Sequence, residues 1–132
     1  MALNPKLSQA SRNLALNAAL DVMNSGPILI LDGTQATDAD TAIGAQVTLA
    51  SLTFGATAWG AASAASKAAN AITQATASAT STATWYRMEK TGPTAVWDGS
   101  VGTSGANLNF NSVAIQSGAT VQITSFTASM AA

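Results

Sequence analysis

The residues able to do acid–base or ligand chemistry are few. Six carboxylates (Asp21, Asp32, Asp38, Asp40, Glu89 and Asp98) face five cations (Lys6, Arg12, Lys67, Arg87 and Lys90), with no His and no Cys. Asp32, Asp38 and Asp40 share one polar stretch, and their oxygens are of the kind that a hard cation such as Ca²⁺ accepts. Their spacing lacks the alternate ligands, central Gly and closing Glu of an EF-hand loop. They read better as turn residues whose carboxylates accept local backbone N–H groups. Asp98, just ahead of Gly99, reads the same way, and Glu89 as a weak partner for a nearby cation.

Nucleophilic chemistry fares no better. A serine needs a base, and with no imidazole only a lysine remains. Ser63 lies four residues before Lys67, one more than the Ser-x-x-Lys arrangement allows. Gly99, Gly102 and Gly105 are followed by no helix signal, so they form no phosphate cradle. Thiol nucleophiles, zinc sites, disulfides and iron–sulfur ligation all need residues this chain does not contain. The expectation is a protein with no catalytic residues, no cofactor and no metal.

Trp59, Trp85 and Trp97 leave two options open. Exposed on a β-domain, Trp59 or Trp97 could stack on sugars. Buried, Trp85 and Trp97 would face each other across a hairpin and anchor the core, each pair adding roughly 0.5–1.5 kcal/mol beyond area burial. A chain this poor in large apolar side chains needs them inside.

Composition explains that poverty. Of 132 residues, 48% are hydrophobic, but about 30 are Ala, and Leu, Ile, Val and Phe together reach only about 19%. Charged residues make up 8% and the net charge is −1, against about 25% charged in ordinary chains. Little charge is available to keep a bare surface in solution. Much of that surface is therefore expected to lie against copies of the chain or another protein. Five scattered cations build no phosphate-tracking stripe, which argues against nucleic acid. No run of about 18 apolar residues is present, which argues against a membrane span. Residues 1–24 do not have the pattern of a secretory leader.

Residues 1–132 read as a single domain: a helix over 8–24, then a β-domain over 28–130. Leu16, Leu20 and Met23 form one helical stripe, with Leu14, Ala18 and Val22 beside it. Ser8 is the N-cap candidate and Asn24-Ser25-Gly26-Pro27 the stop. Such a helix packs on its own sheet or docks on a neighbour, with Arg12 and Asp21 on the wet side. Ile28-Leu29-Ile30-Leu31 reads as a buried strand ending at Asp32-Gly33. A second strand falls between Ala45 and Phe54, with a change of phase near Ala50-Ser51 that implies a bulge. Residues 56–84 mix Ala with Thr and Ser, and strand–loop–strand is favoured over helix.

From there, Ala83 to Lys90 and Ala95 to Gly99 form a hairpin across Thr91–Thr94, with Gly99 to Gly105 as loop. A second hairpin, turning at Ser117-Gly118, closes the chain. The sum is a mainly β fold: an N-terminal helix followed by a six- to seven-strand antiparallel sandwich or barrel-like domain.

Several segments resemble a family of small tailed-bacteriophage virion proteins. They are Ile28-Leu29-Ile30-Leu31-Asp32-Gly33-Thr34-Gln35, Leu49 to Phe54, Ala83 to Met88 leading into Val96 to Gly102, and Gly118 to Phe126. The family often carries an aromatic residue just before its first turn, where this chain has Leu31. The resemblance implies a structural virion component, in particular a capsid decoration (cement) protein, or else a neck, tail or fibre-adaptor protein. The implied partners are the major capsid protein or another virion protein, and the chain itself as a homo-oligomer, a trimer being one form. Leu3, Leu7, Phe126 and Met130, apolar residues at element ends, are the expected contacts. A carbohydrate- or surface-binding β module is the alternative.

Overall fold

Ser8 opens the one α-helix among the described residues. Its backbone is extended and its hydroxyl accepts the Ser11 N–H at 3.1 Å, which satisfies one of the donors a helix leaves unpaired. The computed structural model describes residues 3–92 and 94–131, and in it α1 runs Gln9–Leu20 and tightens into a 3₁₀ turn over Asp21–Met23. Leu16, Leu20 and Met23 are wholly buried. The neighbouring stripe is not: Leu14 is 70% exposed and Val22 48%. Gly26 ends this unit because nothing larger fits. A Cβ there would collide with the Glu89 carbonyl oxygen.

Among the described residues twelve strand segments follow: β1 (Pro27–Leu31), β2 (Thr48–Phe54), β3 (Ser66–Ala68), β4 (Ile72–Thr73), β5 (Ala75–Thr76), β6 (Ser81–Thr82), β7 (Trp85–Lys90), β8 (Thr94–Gly102), β9 (Leu108–Asn109), β10 (Ala114–Ile115), β11 (Thr120–Val121) and β12 (Thr127–Ser129). Six of them make one sheet in the order β4-β2-β1-β7-β8-β9, curled into a half-barrel. The mainly β architecture behind a leading helix is thus as expected. The sheet is mixed, because β8 and β9 run parallel. β8 also takes in Ser100 to Gly102, where loop was expected.

The expected phase change in β2 is a bulge at Leu49. Ile30 faces Ala50 and Leu31 faces Thr48, so Leu49 is the extra residue. A second bulge at Val96 corrects the hairpin. Met88 faces Trp97 and Glu89 faces Ala95, while Trp85 lies opposite Ser100, not Trp97. The two tryptophans therefore do not pair. Tyr86 and Met88 point into the core with Ile28 and Ile30, and Trp85 belongs to the other face. Thr91 and Gly92 form the described part of the turn; Pro93 lies outside the described residues.

Residues 66–84 are extended, as favoured, and much of the stretch follows a period of two. Ala65, Lys67, Ala77 and Ala83 are buried, while Thr76, Ser78, Thr80, Thr82 and Thr84 are exposed. The chain does not close on a second hairpin. β10, β11 and β12 pair with β6, β5 and β3 instead. The register holds from Ile115↔Ser81 through Thr120↔Thr76 and slips by one residue before Thr127↔Ala68. Backbone bonds from Ala83 to Val113, Ala77 to Ala119 and Ala69 to Phe126 fill the gaps. Three small sheets are one long, interrupted antiparallel ribbon. Alanines on its inner side let it lie close to the half-barrel.

An aromatic cluster joins ribbon to barrel. Phe126 packs edge-on to Tyr86 and Trp59, with centroids 5.2 and 5.4 Å away, and Trp59 meets Phe54 at 5.7 Å. Phe126 is buried in this core and is not the surface contact expected of it. Its strand alternation places it inward with Ala128. Tyr86 faces Gly99 so closely that a Cβ at Gly99 would collide with the phenol. Burial pushes the Tyr86 hydroxyl up to about 12, and the Asp98 charge adds to the shift. A raised phenol stabilises the fold below its ordinary value near 10, and that contribution is lost as pH rises towards 12. The thermal midpoint is expected to fall between pH 10 and 12, and Tyr86→Phe to flatten that fall. An unchanged slope in Tyr86→Phe, followed by circular dichroism, would contradict this.

Candidate interaction surface

The polar groups most suggestive of chemistry are engaged within the chain. One face of the helix carries Asn13, Asn17, Asp21 and Asn24, spaced by four, four and three residues. Asn13 Oδ1 accepts the Ala65 N–H at 2.8 Å, Asn17 Oδ1 the Ala62 N–H at 3.3 Å, and Asn24 Oδ1 the Ala58 N–H at 2.8 Å. Lys67, 1% exposed, reaches out of the ribbon to Asn17 Oδ1 at 2.8 Å and Asp21 Oδ1 at 2.5 Å. Asp21 is thus a clamp residue, not a free charge on a wet face. Lys67 is equally occupied, and its ammonium is directed at the helix. The clamp also holds a strained turn, since Ala64 and Ala65 have φ of 50° and 57°, a region costly for a residue with a Cβ. Sequence reading missed this clamp. Its only signal is the Asn13-x₃-Asn17-x₃-Asp21 spacing.

On the opposite side of the sheet, residues 33–46 form a loop whose ends meet. Asp32 N–H donates to the Val47 carbonyl, and Asp32 Oδ1 accepts the Val47 N–H at 2.6 Å. That backbone bond holds the Asp32 carboxyl below its usual range, aided by Ser81. Asp38 accepts from Thr41 N–H and Oγ1 at 2.9 and 2.8 Å. These two act as turn carboxylates, the role their spacing suggested. Among the described residues, no three His, Cys, Asp or Glu side chains gather.

The loop covers the outer side of the sheet. Beneath it Arg87 binds Asp98 through Nε and Nη2, both at 2.8 Å, with the two side chains 5% and 4% exposed. The guanidinium also lies 5.4 Å from the Trp85 ring centroid and donates to the Asp38 carbonyl at 3.2 Å. Trp85 Nε1 donates to the Asp32 carbonyl at 2.9 Å. Asp98 is therefore a buried ion-pair partner within β8, not a turn residue. The Asp98 carboxylate holds Arg87 protonated even more firmly than usual.

Trp59 is 3% exposed and cannot offer a stacking face to a sugar; Trp97 is half-buried. The exposed apolar side chains lie elsewhere. Leu3 is 96% exposed and Leu7 51%, both just before the helix. Met130, half-buried, is tied to the start of the helix by Arg12 Nη1, which donates to its carbonyl at 3.3 Å. Of the four expected contacts, Leu3 and Leu7 stand outside, Met130 borders the helix start, and Phe126 has left for the core. Leu14 and Val22 continue the exposed apolar surface along the helix, and Val47 is exposed in the loop. Comparison with protein-family models, with curated proteins and with solved structures finds no match. No described helix is long and apolar enough to cross a membrane.

Proposed function

We propose that this protein is a structural component of a tailed-phage virion, in the first place a capsid decoration (cement) protein seated on the head lattice. Its work is to bind, with no catalytic step and no cofactor. The observation that carries the proposal is the apolar chain just before the helix, where Leu3 and Leu7 lie in solvent. Exposed leucines in a chain with 8% charged residues are best accounted for by a protein surface that covers them. The resemblance of the strand segments to small virion proteins supports the same reading, and a neck, tail or fibre-adaptor position is the variant within it. A lattice supplies what a small charge-poor domain lacks, since a partner that binds only the folded form stabilises it.

Co-sedimentation with cognate capsids tests the proposal. The full chain is expected to pellet with capsids and to raise their resistance to heat. Deleting residues 1–7 should weaken attachment roughly tenfold, about 1.4 kcal/mol, and leave the thermal midpoint nearly unchanged because the Ser8 cap is kept. A chain that stays in the supernatant with heads, necks and tails alike, yet binds a glycan array and loses that binding in Trp97→Ala, would give the sugar-binding alternative first place.

A further inference from the structure

The outer face of the helix has the pattern of a surface that meets itself. Along it Ala10, Leu14, Ala18 and Val22 recur every four residues, and all four are exposed. Leu14, 70% exposed, stands at the centre with an alanine one turn to either side. No charge interrupts this stretch. Arg12 turns away to the Met130 carbonyl, and Asn13 and Asn17 face the ribbon. Charge appears only at the two ends. Lys6 precedes the first turn and makes no ion pair among the described residues. Asp21 follows the last turn, and its side chain is 57% exposed even with Lys67 on one oxygen.

We propose that this face is a docking site for a second copy of the chain, with the two helices antiparallel across a two-fold axis at Leu14. The ends decide the orientation. Lys6 lies eight residues before Leu14 and Asp21 seven after it, so antiparallel helices bring each Lys6 to the partner's Asp21, twice by symmetry. Parallel helices would put Lys6 against Lys6 and Asp21 against Asp21. The aliphatic stem of Lys6 then covers the partner's Val22 while its ammonium reaches the carboxylate. The small residues decide the fit. Each Leu14 enters the space that Ala10 and Ala18 leave open, and the helices pack at about 8–10 Å. The interface is isologous, the form that closes a dimer. One helix pair lies at the small end of stable interfaces, below roughly 1,200 Å², so the dimer forms and dissociates with concentration. The proposal does not depend on the virion reading, because Leu3 and Leu7 lie beyond this stretch.

The absence of Cys makes the test clean. In Leu14→Cys the two thiols meet at the axis within disulfide reach, about 4.4–6.8 Å between Cα atoms. Mild oxidation is expected to convert it to a covalent dimer at least tenfold faster than Val47→Cys, an exposed control in the loop. Sedimentation velocity of the unmodified chain should show a concentration-dependent dimer, which Leu14→Glu weakens at least tenfold and Lys6→Glu weakens to a smaller degree. Both variants keep the thermal midpoint, since neither side chain is buried. A chain that is monomeric at every concentration, an association indifferent to Leu14→Glu, or equal cross-linking of the two cysteine variants would overturn the proposal. Capsid binding is scored separately in Leu3→Ser with Leu7→Ser, which keeps Lys6, so either idea can fail without the other.

Discussion

Asp98→Ala is expected to cost about 3–5 kcal/mol, measured by urea denaturation, because it leaves the Arg87 guanidinium buried without its counter-charge. Both side chains are about 95% buried, the two bonds are at 2.8 Å, and the loop over them contributes the Asp38 carbonyl as a further acceptor. A domain of this size has about 5–15 kcal/mol in total, so the variant should sit near its unfolding midpoint at moderate temperature. Removing both charges has a different result. In Arg87→Met with Asp98→Leu, most of the loss should return, since a buried pair seldom outperforms apolar side chains of similar volume. A loss below about 1 kcal/mol in Asp98→Ala would mean that water reaches Arg87 and that the loop does not seal the sheet.

The second large effect is at Phe126. Phe126→Ala should cost about 3–5 kcal/mol, because one ring touches both Tyr86 and Trp59 and so links the ribbon to the half-barrel. The same substitution separates two accounts of the residue. If Phe126 were a surface contact, its alanine variant would keep its stability and lose only attachment. A folded variant with an unchanged denaturation midpoint would move Phe126 back to the surface and undo the aromatic cluster.

What could be read from the chain depended on whether the signal was local. The Ser8 cap, the Leu16–Leu20–Met23 stripe and the Ile28–Leu31 run are set by near neighbours, and each was legible. An extended course within residues 56–84 was legible from the Thr and Ser mixed among its alanines. Its partner was not. Nothing in Val121 or Ala128 names Ala75 or Lys67 as its neighbour, so the end of the chain looked like a hairpin of its own. Asp98 beside Gly99 has the sequence of a turn, and only the two-residue-wide bulge at Val96 and the pairing with β7 place it under Arg87. Phe126 was misplaced for a related reason. Its phase follows from pairing with β3, some sixty residues back. The exposed Leu3 and Leu7 were recognisable because they precede the first element and had nothing local to cover them.

The paired ribbon also governs the order in which the protein can be made. Residues 66–82 leave the ribosome well before 114–129, yet their backbone partners are in that last stretch. Contacts of such long sequence separation slow folding, because the loop must close before any bond repays it. During synthesis the earlier strand therefore waits with an unpaired edge, the kind of template that recruits other chains. Its Thr and Ser side chains and the short broken runs between β3, β5 and β6 make it a poor template, which protects the nascent chain. Truncation within the last fifteen residues removes that late partner for good. Such chains should accumulate as soluble aggregates even where the half-barrel itself is intact.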